Sequence, residues 1–238
     1  SGAYKKDADN KGIGSKSTAK SVAFARNKVI NLGSFDAAPD TDPTSVDLGL
    51  SVKWATANVG ALNPDDNGYF FAWGETTPRS NNWATAKPYT WANAPFNNGS
   101  SSFDADYFSA NKSEWVDENG NLKPEYDAAT VIMGSEWRMP TQAEIKELYE
   151  GCDYEWTSIG GTYGWKFTSK TNSNSIFIPL AGYRQDNKYY PYSPGSTDSP
   201  TPYWTSTLDA SGNYWARTMV INQHNPHELG KYHGYGFP

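Results

Sequence analysis

Apolar and polar positions along this chain follow two periods, and the switches between them predict its elements. Residues Ser21 to Leu32 (SVAFARNKVINL) alternate in part, which predicts a strand. The segment Val46 to Ala55 (VDLGLSVKWA) alternates again and predicts a second. Tyr69 to Trp73 is a short apolar run that halts at a Gly-Glu-Thr-Thr-Pro turn. A helical period emerges at Thr141, where Ile145, Leu148 and Tyr149 share one face. Thr141 and Glu144 have capping-box spacing, and Gly151 is the expected stop. A weaker helical turn is expected over Asp127 to Val131. Alternation then returns in Tyr163–Thr168, Ser175–Leu180, Tyr203–Thr207 and Tyr214–Ile221. From Arg79 to Asp127 no period is sustained, which predicts long loops with a tight turn at Asp117–Asn121. One or two short helices, long loops and a mostly antiparallel sheet make an α+β fold rather than a βαβ one.

Composition narrows the class. The 238 residues hold 10 Trp, 16 Tyr and 10 Phe, so aromatics reach 15% while the hydrophobic share is only 37%. A disordered chain would be poor in such rings, so the protein folds. The excess of rings suits a loop-rich extracellular fold or a surface that binds through amphipathic aromatics. The net charge of -6 argues against nucleic acid as a partner, because phosphate binding needs concentrated basic surface. No window approaches a membrane span. Cys152 stands alone, so an internal disulfide and a CxxC motif are both excluded.

Charge also divides the chain. Up to Phe35 seven basic residues face two acidic ones, giving +5 and leaving -11 for the remainder. Residues 36–45 (DAAPDTDPTS) have linker composition. The expected organisation is a basic tail, or a strand from a preceding domain, over 1–35, then the linker, then one domain over 46–238. The first 30 residues hold no signal-peptide core, and Gly12 to Ser17 read as flexible tail.

The run Gly134-Ser135-Glu136-Trp137-Arg138-Met139-Pro140-Thr141-Gln142-Ala143-Glu144 resembles a W-R-[LM]-P-T-x-A-E signature. Formylglycine-generating-enzyme-like domains and Fibrobacter major paralogous domains share it. Val46 to Ala55, Phe71-Ala72-Trp73-Gly74-Glu75-Thr76, Asp127-Ala128-Ala129, Ile176 to Arg184 and Tyr203 to Thr207 are similar to the latter, in order. The resemblance implies a C-type-lectin-like fold of the kind found in Bacteroidetes surface proteins. Lys28-Val29-Ile30-Asn31-Leu32-Gly33 looks like the closing strand of a fimbrillin-type domain. Together they imply a pilus-tip or surface adhesin, extracellular, on a fimbrium or anchored at the outer membrane. The family leads one to expect a further strand after Gly236-Phe237-Pro238.

Few constellations carry chemistry. The formylglycine-generating enzymes use a cysteine pair, and Cys152 is single, with Glu150, Asp153 and Glu155 nearby to disfavour a thiolate. His224, His227 and His233 fall within one decade, but Pro226 spoils helical spacing for a metal site. No catalytic residues and no cofactor are expected. Scattered Asp and Asn could bind calcium, yet no EF-hand-like spacing occurs. The candidate ligand-binding residues are Arg217, Asn222, His224, His227, Tyr232, His233 and Tyr235 in the C-terminal segment, where variable lectin-like proteins carry their ligand face. Trp83 and Trp91 join them from the long loop, with Tyr89 as a further aromatic there. The expected function is non-catalytic adhesion to a glycan or protein on a host or neighbouring cell. The alternatives are a pilus or surface-assembly subunit, whose partners are other pilus subunits, and an enzyme of the formylglycine-generating type.

Overall fold

The computed structural model describes residues 2–6, 12–16, 44–79, 86–194, 200–210, 215–224, 228–232 and 236–238, with backbone alone for 2–6, 12–16 and 228–232. Contacts divide the chain into Ser1–Asp42 and Pro43–Pro238. The strand expected over 21–32 and nearly all of the linker lie outside the described residues. In the first unit β1 (Gly2–Lys6) and β2 (Gly12–Lys16) pair antiparallel from Gly2↔Lys16 to Lys6↔Gly12. Gly12 to Lys16, expected as flexible tail, is therefore a strand, because the ladder supplies its backbone with partners.

The second unit opens with a minimal hairpin of β3 (Ser45–Val46) and β4 (Trp54–Ala55), registered Ser45↔Ala55 and Val46↔Trp54. This corrects the single strand expected over Val46 to Ala55. Asp47 Oδ1 accepts the Gly49 N–H at 2.7 Å, and Gly49 has φ +68°, so the chain turns where alternation alone would carry it straight.

Helix α1 (Ala105–Trp115) lies in what the sequence reads as loop. Its amphipathic signal is weak, since only Phe108 and Trp115 are buried, and it is fixed by the Asp104 cap on the Tyr107 N–H. The turn at Asp117–Asn121 forms as expected, with Asp117 Oδ1 accepting the N–H groups of Asn119 and Asn121. Helix α2 (Ala128–Met133) is capped by Asp127, and α3 (Gln142–Gly151) makes both bonds of its capping box. Gly151 does not stop α3. It remains helical and Cys152 caps the helix, while the missing Cβ of Gly151 makes room for Leu50 Cδ2, which would stand 2.4 Å from it.

Strands follow as β5 (Cys152–Ile159), β6 (Thr162–Ser169), β7 (Ser175–Pro179), β8 (Tyr183–Gln185), β9 (Lys188–Tyr190), β10 (Thr201–Leu208), β11 (Ala216–Ile221) and β12 (Glu228–Tyr232). They form antiparallel sheets in the orders β5-β6-β7, β8-β9 and β10-β11-β12. The unit is thus a mixed α+β fold with few helices and several antiparallel sheets.

Two apolar clusters hold it together. One gathers Leu48, Ile145, Leu148, Phe167, Met219 and Ile221, and the other gathers Trp73, Phe96, Phe108, Trp115, Trp204 and Phe237. A fully buried ring such as Phe167 or Phe237 contributes roughly 1.5–3 kcal/mol. The last three residues pair with separate elements: Phe237 with Phe71, Gly236 with Arg184, and the Pro238 carbonyl with the Trp204 N–H. No helix among the described residues is long and apolar enough to cross a membrane.

Candidate functional site

Only some of the residues that the sequence nominates are described. Trp83, His227, His233 and Tyr235 lie outside the described residues, and Tyr232 is described by its backbone, paired with Ala216. Arg217, expected to be exposed, is committed to the scaffold. Its Nε stands 2.5 Å from Oδ2 of the fully buried Asp209, and its carbonyl accepts the Thr205 hydroxyl. An isolated carboxylate in such a place would be costly, and the guanidinium supplies its counter-charge. Trp91 is half-buried against Phe103, 5.2 Å between ring centres. Tyr89 is buried, with its hydroxyl donating to the Phe70 carbonyl at 2.7 Å and Arg79 lying 4.0 Å above its ring.

Asn222 and His224 do reach a surface with chemistry. The β5–β6 hairpin turns at Gly160 and Gly161, both at positive φ, and registers Trp156↔Trp165 and Ser158↔Tyr163. Alternation puts Tyr154 and Trp156 on the same face as Tyr163, Trp165 and Phe167. Phe167 and Trp165 end in the core, whereas Tyr154 and Tyr163 are 43% and 40% exposed. The core therefore runs outward into an aromatic corner. Trp156 and Tyr163 are stacked, 5.6 Å between centres and 10° from parallel. Tyr192 meets both edge-on at 6.1 Å.

The corner is joined to the segment after β11. Trp165 Nε1 donates to the Asn222 carbonyl at 2.8 Å, Asn222 Oδ1 accepts the His224 N–H at 2.8 Å, and the Tyr192 hydroxyl donates to Gln223 Oε1 at 3.2 Å. Burial, with Tyr163 adding to it, pushes the Tyr192 hydroxyl above its ordinary range and keeps it a donor. Flat ring faces beside an amide and a phenol can meet the apolar face of a ligand while its polar rim finds hydrogen bonds.

A second concavity of about 540 Å³ runs beside the β3–β4 hairpin and β7, walled by Trp54, Phe71, Ile145, Ile178, Tyr203 and Trp204. Its rim is the turn before α3. There Asp127 accepts the Met139 and Thr130 N–H groups, and Glu144 accepts two Arg138 bonds at 2.8 and 2.5 Å.

Cys152 is fully buried. Burial raises its thiol pKa and Asp153 adds to that, while Lys170 opposes it. The chief cause is thus desolvation rather than the acidic neighbours the sequence suggests. Among the described residues no group of three or more His, Cys, Asp or Glu could hold a metal ion.

No family model, curated protein or solved structure matches the chain. The site therefore rests on its own geometry. Tyr154, Trp156, Tyr163, Tyr192 and Gln223 were missed by sequence reasoning. The usable signal is the Gly160-Gly161 pair between two runs with aromatics at every second position, a hairpin that shows one aromatic face.

Proposed function

We propose that this chain is a non-catalytic recognition module acting outside the cell, an adhesin for a glycan or protein on a host or neighbouring cell surface. One observation carries the reading: a stacked, part-exposed Trp156–Tyr163 platform flanked by Tyr192 and bounded by Asn222, Gln223 and His224. Rigid rings lose little conformational entropy on binding, and amides and imidazoles adapt their hydrogen bonds to the partner. The buried, protonated Cys152 supports a non-catalytic role. We read the fold as C-type-lectin-like on the ordered run of motifs from Val46 to Thr207. The few short helices and several antiparallel sheets are compatible with it.

The test is a glycan array joined to a cell-surface protein screen, run with the intact chain and with Tyr163→Ala and Gln223→Ala. Each substitution is expected to weaken the strongest hit at least about tenfold, or ~1.4 kcal/mol. Equal binding by all three proteins would remove the corner as the site.

A further inference from the structure

The apolar groove beside β7 carries hydrogen-bonding groups that no described residue uses. β7 is the last strand of its sheet. The Leu180 N–H donates to the Tyr163 carbonyl and the Ser169 N–H to the Asn174 carbonyl, and both couples fall on the β6–β7 register. Bonded and non-bonded pairs alternate along an antiparallel ladder. Ile176 and Ile178 therefore spend their backbone groups on β6, and Phe177 turns its N–H and C=O away from it. Phe177 is 7% exposed, lines the groove, and has no backbone partner among the described residues.

The β3–β4 hairpin, which lines the same groove, repeats this arrangement. The Thr56 N–H donates to the Thr44 carbonyl on the β3–β4 register, so Ala55 turns its N–H and C=O away from β3. Ala55 lines the same groove and also has no backbone partner among the described residues. Beside it, the buried Trp54 Nε1–H has no hydrogen-bond partner among the described residues. Buried backbone groups are paired in more than about 90% of cases, so the unpaired edge of the buried Phe177, with the half-buried Ala55 edge in the same groove, is a signal to explain.

Electrostatic complementarity selects the occupant. Each wall offers one donor and one acceptor, with apolar side chains between. The exposed charges at the rim, Lys53, Glu136 and Arg138, are of both signs and favour no ion. A lipid tail or aromatic molecule would leave all four backbone dipoles unpaired. An extended backbone presents N–H and C=O groups along both of its edges. We propose that the groove is a strand-addition site, which takes an extended peptide segment of a partner polypeptide between Phe177 and Ala55. The guest carries apolar side chains at alternate positions and no proline at the paired ones. With it in place, β3, β4, the guest, β7, β6 and β5 form one sheet. The site shares no residue with the aromatic corner and does not depend on it.

The test begins by panning a phage-displayed library of random decapeptides against the intact chain. The proposal expects enriched peptides with apolar residues at every second position. In amide exchange followed by NMR, these peptides should slow the Phe177 and Ala55 N–H groups at least about tenfold. N-methylation of single peptide amides should then abolish binding at the residue paired with Phe177 and at the residue paired with Ala55, an odd number of positions apart because successive groups of an extended strand point to opposite edges, and spare the others, a readout that leaves the protein unmutated. Tyr163→Ala should change none of this. Failure to enrich any peptide, an unchanged Phe177 amide, or equal tolerance of methylation at every position would each overturn the proposal.

Discussion

Two sets of tryptophan and tyrosine rings in this molecule are held by different forces. Trp73 and Trp204 are buried, and each donates its indole N–H to a backbone carbonyl: Thr205 at 2.9 Å and Phe71 at 2.8 Å. They are ties between distant segments. Trp156 and Tyr163 stack on each other and meet neighbouring rings, and they keep part of their surface in solvent. A ring whose polar atom is committed to the scaffold has little left to offer a ligand. A ring held by neighbouring rings is rigid and still available. That distinction, more than the number of aromatics, separates rings spent on architecture from rings left available at the surface.

The largest effect should come from cutting one of the ties. Trp204→Ala removes a ring that packs on Phe237 at 4.5 Å and leaves the Phe71 carbonyl without its indole donor. Loss of a fully packed Trp costs about 3–5 kcal/mol, which equilibrium urea unfolding would read as a lower midpoint with little change in slope. A loss below about 1 kcal/mol would mean that this cluster is not part of the scaffold. The distinction would then fail.

The two carboxylates that bond the turn before α3, Asp127 at the start of α2 and Glu144 within α3, offer a sharper cut, because they should respond oppositely to pH. Burial pushes Asp127 above the usual carboxylate range, with the Thr130 and Met139 N–H groups pulling it part-way back. The folded state therefore holds that proton more tightly than the unfolded chain. Its contribution is complete below the ordinary carboxylate pKa and is lost as pH rises through the folded one. Asp127→Ala should cost about 1–3 kcal/mol at neutral pH from the unpaired N–H groups, and the gap to wild type should widen on acidification.

Glu144 behaves in the reverse sense. Burial alone would raise it, but the Arg138 and Thr141 hydrogen bonds outweigh that and hold it low. Its contribution is present above the ordinary carboxylate pKa and is lost as pH falls through the folded one. Glu144→Gln should therefore cost less than Asp127→Ala, with a gap that closes on acidification. Unfolding free energies measured across the acid range would settle both signs, and parallel curves for the two variants would refute the assignment.

Local signals carried part of this architecture into the sequence and missed the rest for identifiable reasons. The α3 cap was legible because Thr141 and Glu144 bond within one turn, and the strands from Tyr163 onward because alternation marks their faces. Helix α1 was not, since Ala105–Trp115 buries only two side chains and its cap depends on one aspartate. The hairpin at Val46 to Ala55 was hidden by a side-chain turn that leaves alternation intact. The candidate site was barely legible. Asn222 and His224 were nominated, but the rings they meet lie about 60 residues earlier in β5 and β6, and only the register brings them together. Arg217 was misread because its partner Asp209 lies across a strand pair rather than at helical spacing.

The smallest expected change in stability belongs to the corner, and it separates the two sets of rings most directly. Tyr163 is 40% exposed, and its ring meets those of Trp156 and Tyr192. Aromatic pairs contribute about 0.5–1.5 kcal/mol beyond area burial, so Tyr163→Ala should lower stability by about 1 kcal/mol. Tyr163→Phe should leave it almost unchanged, because the hydroxyl has no partner among the described residues. If the corner is a recognition surface, Tyr163→Phe keeps the platform and most of the binding, while Tyr163→Ala loses both the stack and the ligand at near-wild-type stability. Thermal melts paired with binding titrations would show that split. A Tyr163→Ala protein that melts several kilocalories lower would instead place this ring with Trp204, as scaffold that happens to reach the surface.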